Sequence, residues 1–75
     1  MPPLPVVKPR EAIRALERAG FYIDHQTGSH VQMLHHARPE LRVTVSMNNK
    51  DIKRGTLKNI IRQAGMTVEQ FLELL

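Results

Sequence analysis

The chain has 75 residues, with 11 Lys and Arg against 7 Asp and Glu, a formal net charge of +4 and no cysteine. This length allows one domain whose small core is only marginally stable alone, so a partner protein can add to its stability. A chain without cysteine has neither a disulfide framework nor a thiolate metal site. No apolar run approaches the ~20 residues that span a bilayer, and residues 1–7 lack the basic leader and long apolar stretch of a signal peptide. We therefore expect a cytoplasmic protein that contacts no membrane.

A first amphipathic helix is predicted between Pro9 and Gly20. Proline suits the first turn of a helix, and glycine suits its end. Between them, apolar residues recur at the three-and-four spacing of one buried stripe: Ala12, Ile13, Leu16 and Ala19. Residues 1–8 are expected to form an extended tail, which leaves residues 9–75 as the single domain.

Three strands are predicted where apolar and polar side chains alternate: residues 21–25, 29–35 and 41–45. Their register follows from the requirement that the apolar faces coincide. A three-residue loop ending at Gly28, in the left-handed conformation, would pair Ile23 with Val31. A two-residue turn would set Asp24 opposite Val31, so we reject it. A second loop of five residues would pair Val31 with Val45.

This register predicts a polar face centred on His30. It places Asp24 beside His30 on the first strand and Ser46 beside it on the third. Histidine suits proton transfer because its ordinary pKa of ~6.5 lies near physiological pH, and a neighbouring carboxylate orients the ring and favours its charged form. The same face carries Tyr22, Gln32, Arg42 and Thr44. Tyr22 is the one aromatic side chain there.

Two further helices are predicted after the strands. Thr56 is expected to cap the second helix, which Gly65 ends, and Thr67 and Gln70 have the capping-box spacing of a short third helix. Their apolar stripes are Leu57, Ile60, Ile61 and Ala64, and then Val68, Phe71, Leu72 and Leu75. Helix, three antiparallel strands, helix and short helix make an α+β fold, with the helices on one face of the sheet and the His30 face open.

The positive charge is concentrated between Lys50 and Arg62. This segment has five basic residues and one acidic residue, so it alone carries the net charge of +4. Such a segment is expected of a protein that binds a phosphate backbone, although a basic helix face can also be solvated surface. Helix N-termini also bind anions, so Thr56, at the predicted start of the second helix, is a candidate phosphate contact. A role as the helix cap alone would also explain a threonine at this position. The predicted phosphate contacts are Lys50, Lys53, Arg54, Thr56, Lys58 and Arg62.

One combination of short motifs is distinctive. Gly-Ser-His at residues 28–30 follows Ala-Gly-Phe at residues 19–21 and precedes the Gly-Thr-Leu-Lys-Asn-Ile-Ile-Arg-Gln-Ala-Gly run at residues 55–65. Together they resemble the HicA (YcfA-like) family of small toxins, mRNA interferases that HicB-type antitoxins neutralise. The resemblance covers roughly residues 10–65. It implies a fold like a double-stranded-RNA-binding domain and a catalytic role for His30, without a metal or other cofactor. It also implies a HicB-like antitoxin that covers the His30 face.

The chain departs from the family pattern after the third strand. There the family often carries a proline and a second histidine, whereas residues 45–50 read Val-Ser-Met-Asn-Asn-Lys. Lys50 and Ser46 are the candidates to take the place of that histidine, but a lysine with its ordinary pKa of ~10.4 is a poor base. Lys50 can still stabilise charge that develops on a phosphate. The candidate supporting residues are therefore Asp24, Ser29, Ser46 and Lys50.

Two other interpretations remain open at this point. The first is a non-catalytic RNA-binding module of the same fold, which would bind RNA through the basic segment without cleaving it. The second is a small subunit that stabilises a larger protein through Leu34, Phe71 and Leu75. No metal site is expected at His25, His35 and His36, because adjacent strand residues face opposite sides and no carboxylate completes a ligand set.

Overall fold

The order of elements along the chain is helix, three strands, helix and short helix. The computed structural model describes residues 3–48 and 50–75, so residues 1 and 2 of the predicted tail lie outside the described residues. The elements are α1 (Pro9–Arg18), β1 (Phe21–Thr27), β2 (His30–His35), β3 (Arg42–Ser46), α2 (Arg54–Gln63) and α3 (Val68–Leu74). The strands form one antiparallel sheet in the order β1-β2-β3. The predicted α+β fold is confirmed.

The ends of α1 lie where the sequence predicted them. Pro9 opens the helix, and the backbone N–H of Lys8 donates to Glu11 Oε1 at 2.9 Å, which satisfies a group that the helix itself leaves unpaired. The chain leaves the helix through Gly20, whose φ is +102°. A Cβ at Gly20 would lie 2.8 Å from His35 Nε2, so glycine is needed there both for its backbone conformation and for space.

The helices cover one face of the sheet. α1 and α2 both contact the sheet, whereas α3 contacts α1 and α2. The buried side chains between the sheet and the two helices are Ile13, Leu16, Phe21, Val31, Met33, Val43, Val45, Ile60 and Ala64. On the far side of the helices, a second cluster contains Val7, Ala12, Ala15, Leu57, Ile61, Val68 and Phe71. The opposite face of the sheet, which carries His30, is left open as predicted.

Two residues of the second cluster, Phe71 and Val7, bear on the predictions. Phe71 is fully buried, so the hypothesis that Phe71 contacts a larger protein is wrong. Val7 is also buried, and its carbonyl accepts a hydrogen bond from the N–H of Ile52 at 2.9 Å. The segment before α1 is therefore tied to the chain just before α2.

The predicted register of the second hairpin is confirmed. Met33 pairs with Val43, Val31 with Val45 and His30 with Ser46. The alternation of buried and polar residues along both strands allows only this alignment, because a shift by one residue would turn the apolar set towards solvent.

The predicted register of the first hairpin is wrong. Thr27 pairs with His30 across a two-residue turn, Ile23 pairs with Met33, and Asp24 is the extra residue of a β-bulge between them. Gly28 has the positive φ that was predicted, +58°, but at the first turn position, as a type II′ turn requires. A bulge changes the register within one strand, whereas the prediction assumed an uninterrupted ladder.

The capping prediction is confirmed for α3 and wrong for α2. Thr67 Oγ1 accepts from the N–H of Gln70 at 3.1 Å, and Gln70 Oε1 accepts from the N–H of Thr67 at 2.8 Å. α2 begins at Arg54, its N-cap Lys53 has no side-chain cap hydrogen bond, and Thr56 lies inside the first turn. The hydrogen bond between Ile52 and Val7 holds the chain directly before Lys53, so the helix starts earlier than the threonine suggested.

Candidate catalytic face

His30 is the first residue of β2 and lies on the open face of the sheet. It pairs with Thr27 on one side and with Ser46 on the other, so three side chains form a row across the sheet. The carbonyl of Ser29 accepts a hydrogen bond from the N–H of Met47, which extends the β2–β3 ladder by one residue. Both neighbouring strands therefore fix the backbone of His30, while its imidazole is exposed to solvent. This arrangement suits a large substrate that approaches the open face.

Asp24 does not lie beside His30, so this predicted contact is wrong. The bulge moves Asp24 along β1, and its Oδ2 accepts from His25 Nδ1 at 2.8 Å. Thr27 takes the predicted place of Asp24 next to His30. A hydroxyl is neutral near physiological pH, so the row offers hydrogen bonds to His30 or to a ligand but no negative charge.

Of the other candidate supporting residues, Ser46 belongs to the row, Ser29 directly precedes His30, and Lys50 follows Ser46 along the chain. Ser46 is half-buried and directly opposite His30, as predicted. Ser29 is exposed in the turn before His30, and Lys50 is exposed four residues beyond Ser46. The backbone N–H of Lys50 donates to Asn48 Oδ1 at 3.0 Å, which turns the chain away from the end of β3. The two hydroxyls can donate to phosphate oxygens, and the ammonium group can supply positive charge.

His35 has a structural environment. Its Nε2–H donates to the carbonyl of Ala19 at 2.9 Å, and its Nδ1 accepts from the N–H groups of Ala37 and Arg38 at 3.0 and 3.1 Å. Its ring meets the ring of Phe21 edge-on, with the centroids 4.8 Å apart. Through these contacts His35 connects the end of α1 with the loop after β2.

His36 contributes to the open face in a way that the sequence did not predict. Its ring stacks on Tyr22 with the centroids 4.4 Å apart and the planes at 30°. Its backbone N–H donates to the carbonyl of Gly20 at 3.0 Å, which prolongs the β1–β2 ladder. The prediction placed His36 in a loop and therefore missed this pair. The pair of His36 and Tyr22 lies roughly 20 Å from His30 along β2, because each residue of a strand adds about 3.3 Å.

The predicted phosphate-binding residues of α2 do not share a face with His30. Leu57, Ile60 and Ile61 of this helix are buried on the helical side of the sheet. All of the predicted phosphate contacts are exposed: Lys50, Lys53, Arg54, Thr56, Lys58 and Arg62. Gln63 Oε1 accepts from the N–H of Thr44 at 3.4 Å, so the end of α2 lies at the β3 edge. A nucleic acid that contacts both His30 and α2 would pass around that edge.

Neither a metal cluster nor a membrane-spanning helix is found in residues 3–48 and 50–75. No three His, Asp or Glu side chains there are close enough together to hold a metal ion. No helix in the same part of the chain has the length and apolar character to cross a membrane.

Comparison with models of known protein families finds a match. A family model described as HicA toxin of bacterial toxin–antitoxin matches residues 9–66. The match extends from α1 through α2 and contains Gly28, Ser29 and His30. Comparison with curated proteins finds no match.

Proposed function

Because the chain belongs to the HicA toxin family, and is therefore the toxin of a toxin–antitoxin pair, we propose that it is a metal-independent endoribonuclease. Its substrate is mRNA, and His30 is the catalytic residue. The exposed imidazole in the Thr27–His30–Ser46 row is the observation that carries this proposal. The reaction takes place in the cytoplasm on an RNA strand laid across a fold like a double-stranded-RNA-binding domain.

The proposed chemistry uses the RNA as its own nucleophile. The imidazole of His30 takes the proton of a 2′-hydroxyl, the 2′-oxygen bonds to the adjacent phosphorus, and the bond from phosphorus to the 5′-oxygen breaks. The protonated imidazole of His30 then gives a proton to the leaving 5′-oxygen, so the products carry a 2′,3′-cyclic phosphate and a 5′-hydroxyl. Histidine serves both proton transfers because its ordinary pKa lies near the working pH.

The neighbours of His30 would hold the phosphate in place. The hydroxyls of Thr27 and Ser46 are on either side of the imidazole, and either can donate to a phosphate oxygen. Lys50 follows on the chain and would stabilise the negative charge that develops during the attack. The exposed cations of α2 would bind phosphates farther along the strand, so RNA affinity would fall steeply with salt.

The antitoxin is proposed to be HicB-like and to cover the His30 face. No helix within residues 3–48 and 50–75 covers this face, which carries half-buried Tyr22 and Leu34 beside exposed Arg42. An acidic partner surface would match the cations and exclude RNA at the same time.

A non-catalytic RNA-binding module is the second candidate function. Two observations favour it: residues 45–50 contain no second histidine, and Asp24 bonds to His25 rather than to His30. In this case the protein would bind RNA without breaking it.

End-group analysis of the products separates the two candidates. Purified protein is incubated with a single-stranded RNA in excess chelator, and a matched RNA with 2′-deoxy sugars serves as the control substrate. The proposal requires 2′,3′-cyclic phosphate ends from the RNA and no cleavage of the deoxy control. Cleavage of both substrates, or cleavage that stops in chelator, would contradict the proposed chemistry, and binding without cleavage would favour the module.

A further inference from the structure

A cationic groove lies on the helical side of the sheet, between the first turns of α1 and the chain that follows β3. Its volume is about 440 Å³, within the usual range of ligand clefts. The residues that line it are Lys8, Pro9, Arg10, Glu11, Arg14, Met47, Asn48 and Lys50. One wall is therefore the first turns of α1, and the other is the chain that leaves β3.

The charges in this groove are unbalanced. Four cationic side chains face one carboxylate, Glu11, and its Oε1 accepts from the backbone N–H of Lys8. The ion pairs among the described residues are His25–Asp24 and Arg38–Glu40, so none of the groove cations is paired there. Arg10 and Arg14 are four residues apart on one helix, where like charges repel. A bound anion would remove this repulsion.

The chain that follows β3 joins the groove to the His30 row. Met47 follows Ser46, which pairs with His30, and the N–H of Met47 donates to the carbonyl of Ser29. Asn48 is two residues beyond Ser46, a separation of at most about 7 Å along an extended chain. A strand bound at His30 would reach the groove by passing the end of β3.

We propose that this groove binds backbone phosphates of the RNA strand next to the phosphate at His30, with Arg10 and Arg14 as the principal contacts. This inference deepens the proposed function and rests on it. Guanidinium groups bind phosphate oxygens in a bidentate manner, and these two arginines belong to a rigid helix. Arg10 and Arg14 lie outside the basic segment of the sequence, so the proposed RNA path includes cations that this segment does not contain.

The test is RNA binding in a His30→Ala background, so that substrate is not consumed. Affinity for a short fluorescent single-stranded RNA is measured over a series of salt concentrations. The double variant Arg10→Gln with Arg14→Gln is compared with Arg38→Gln, which removes a cation of the same type from the loop after β2. Circular dichroism verifies that each variant is folded.

The proposal expects the double variant to bind about tenfold more weakly, with a salt slope smaller by about 0.7 for each lost phosphate contact. Arg38→Gln should bind like its parent. Unchanged affinity and slope in the double variant would overturn the proposal, as would weaker binding to the antitoxin with RNA binding intact. If the wild type does not cleave RNA while the double variant loses affinity, the groove remains assigned and only the cleavage proposal fails.

Discussion

Thr27 lies directly opposite His30 across the first hairpin, in the place where an uninterrupted strand pair would have put Asp24. The bulge at Asp24 gives His30 a neutral neighbour in place of a carboxylate. The carboxylate of Asp24 instead accepts a hydrogen bond from His25. The sheet backbone therefore positions His30, and the two residues paired with it, Thr27 and Ser46, are uncharged.

Replacement of Asp24 tests this arrangement. Asp24→Asn should leave the rate of RNA cleavage within about twofold of the wild type, because Asp24 contacts His25 and not His30. A general acid–base contribution is typically worth 10²–10⁴-fold, so a decrease of that size would mean that Asp24 reaches His30 during the reaction. The measurement is the initial rate on a single-stranded RNA under identical salt and pH.

Replacement of His35 should lower stability. His35→Ala removes three hydrogen bonds and the edge-on contact with Phe21, and we expect a loss of about 2 kcal/mol in the free energy of unfolding. His36→Ala removes only a stacking contact, for an expected loss of about 1 kcal/mol. Urea denaturation of both variants measures the difference, and an equal loss would contradict the structural role of His35.

Two glycines should respond to alanine in opposite directions. At Gly20, φ is +102° and a Cβ would lie 2.8 Å from His35 Nε2, so Gly20→Ala should destabilise the protein by about 1–3 kcal/mol. At Gly55, in the first turn of α2, a Cβ meets open space. Gly55→Ala should stabilise the protein by up to about 0.5 kcal/mol, because alanine is the better helix former. Thermal unfolding of both variants tests the pair, and a stable Gly20→Ala would refute the argument.

Two threonines test the helix starts. Thr67→Ala removes a side-chain cap from α3 and should cost about 1 kcal/mol. Thr56→Ala should be neutral to within about 0.5 kcal/mol, because Thr56 lies inside α2. Equal losses at both positions would show that Thr56 caps a helix after all. The same denaturation experiment covers both variants.

The sequence predicted the parts of the fold that depend on a regular period. Alternation of Val31 and Met33 with polar residues, matched by Val43 and Val45, determines the second hairpin, because only one register buries all four. The bulge at Asp24 could not be predicted in this way, because a bulge interrupts the alternation of apolar and polar residues along the strand.

For the candidate site, His30 was located by its motif and Ser46 by the register of β3. Two features depend on tertiary contacts that no local pattern encodes. The stacking of His36 on Tyr22 requires the β1–β2 ladder to continue past β2. The cationic groove joins Arg10 and Arg14 to Met47 and Asn48, which are distant in sequence.

The central claim is that His30 itself transfers the proton, and a pair of histidine variants on the same sheet tests it most directly. Cleavage of a defined single-stranded RNA in chelator is measured for the wild type, His30→Ala and His25→Ala, with folding verified by circular dichroism. His25 is also exposed on β1, so its variant controls for the loss of a surface imidazole. We predict that His30→Ala lowers the rate by at least about 100-fold while His25→Ala cleaves like the wild type. Cleavage by a folded His30→Ala at the wild-type rate would contradict the claim.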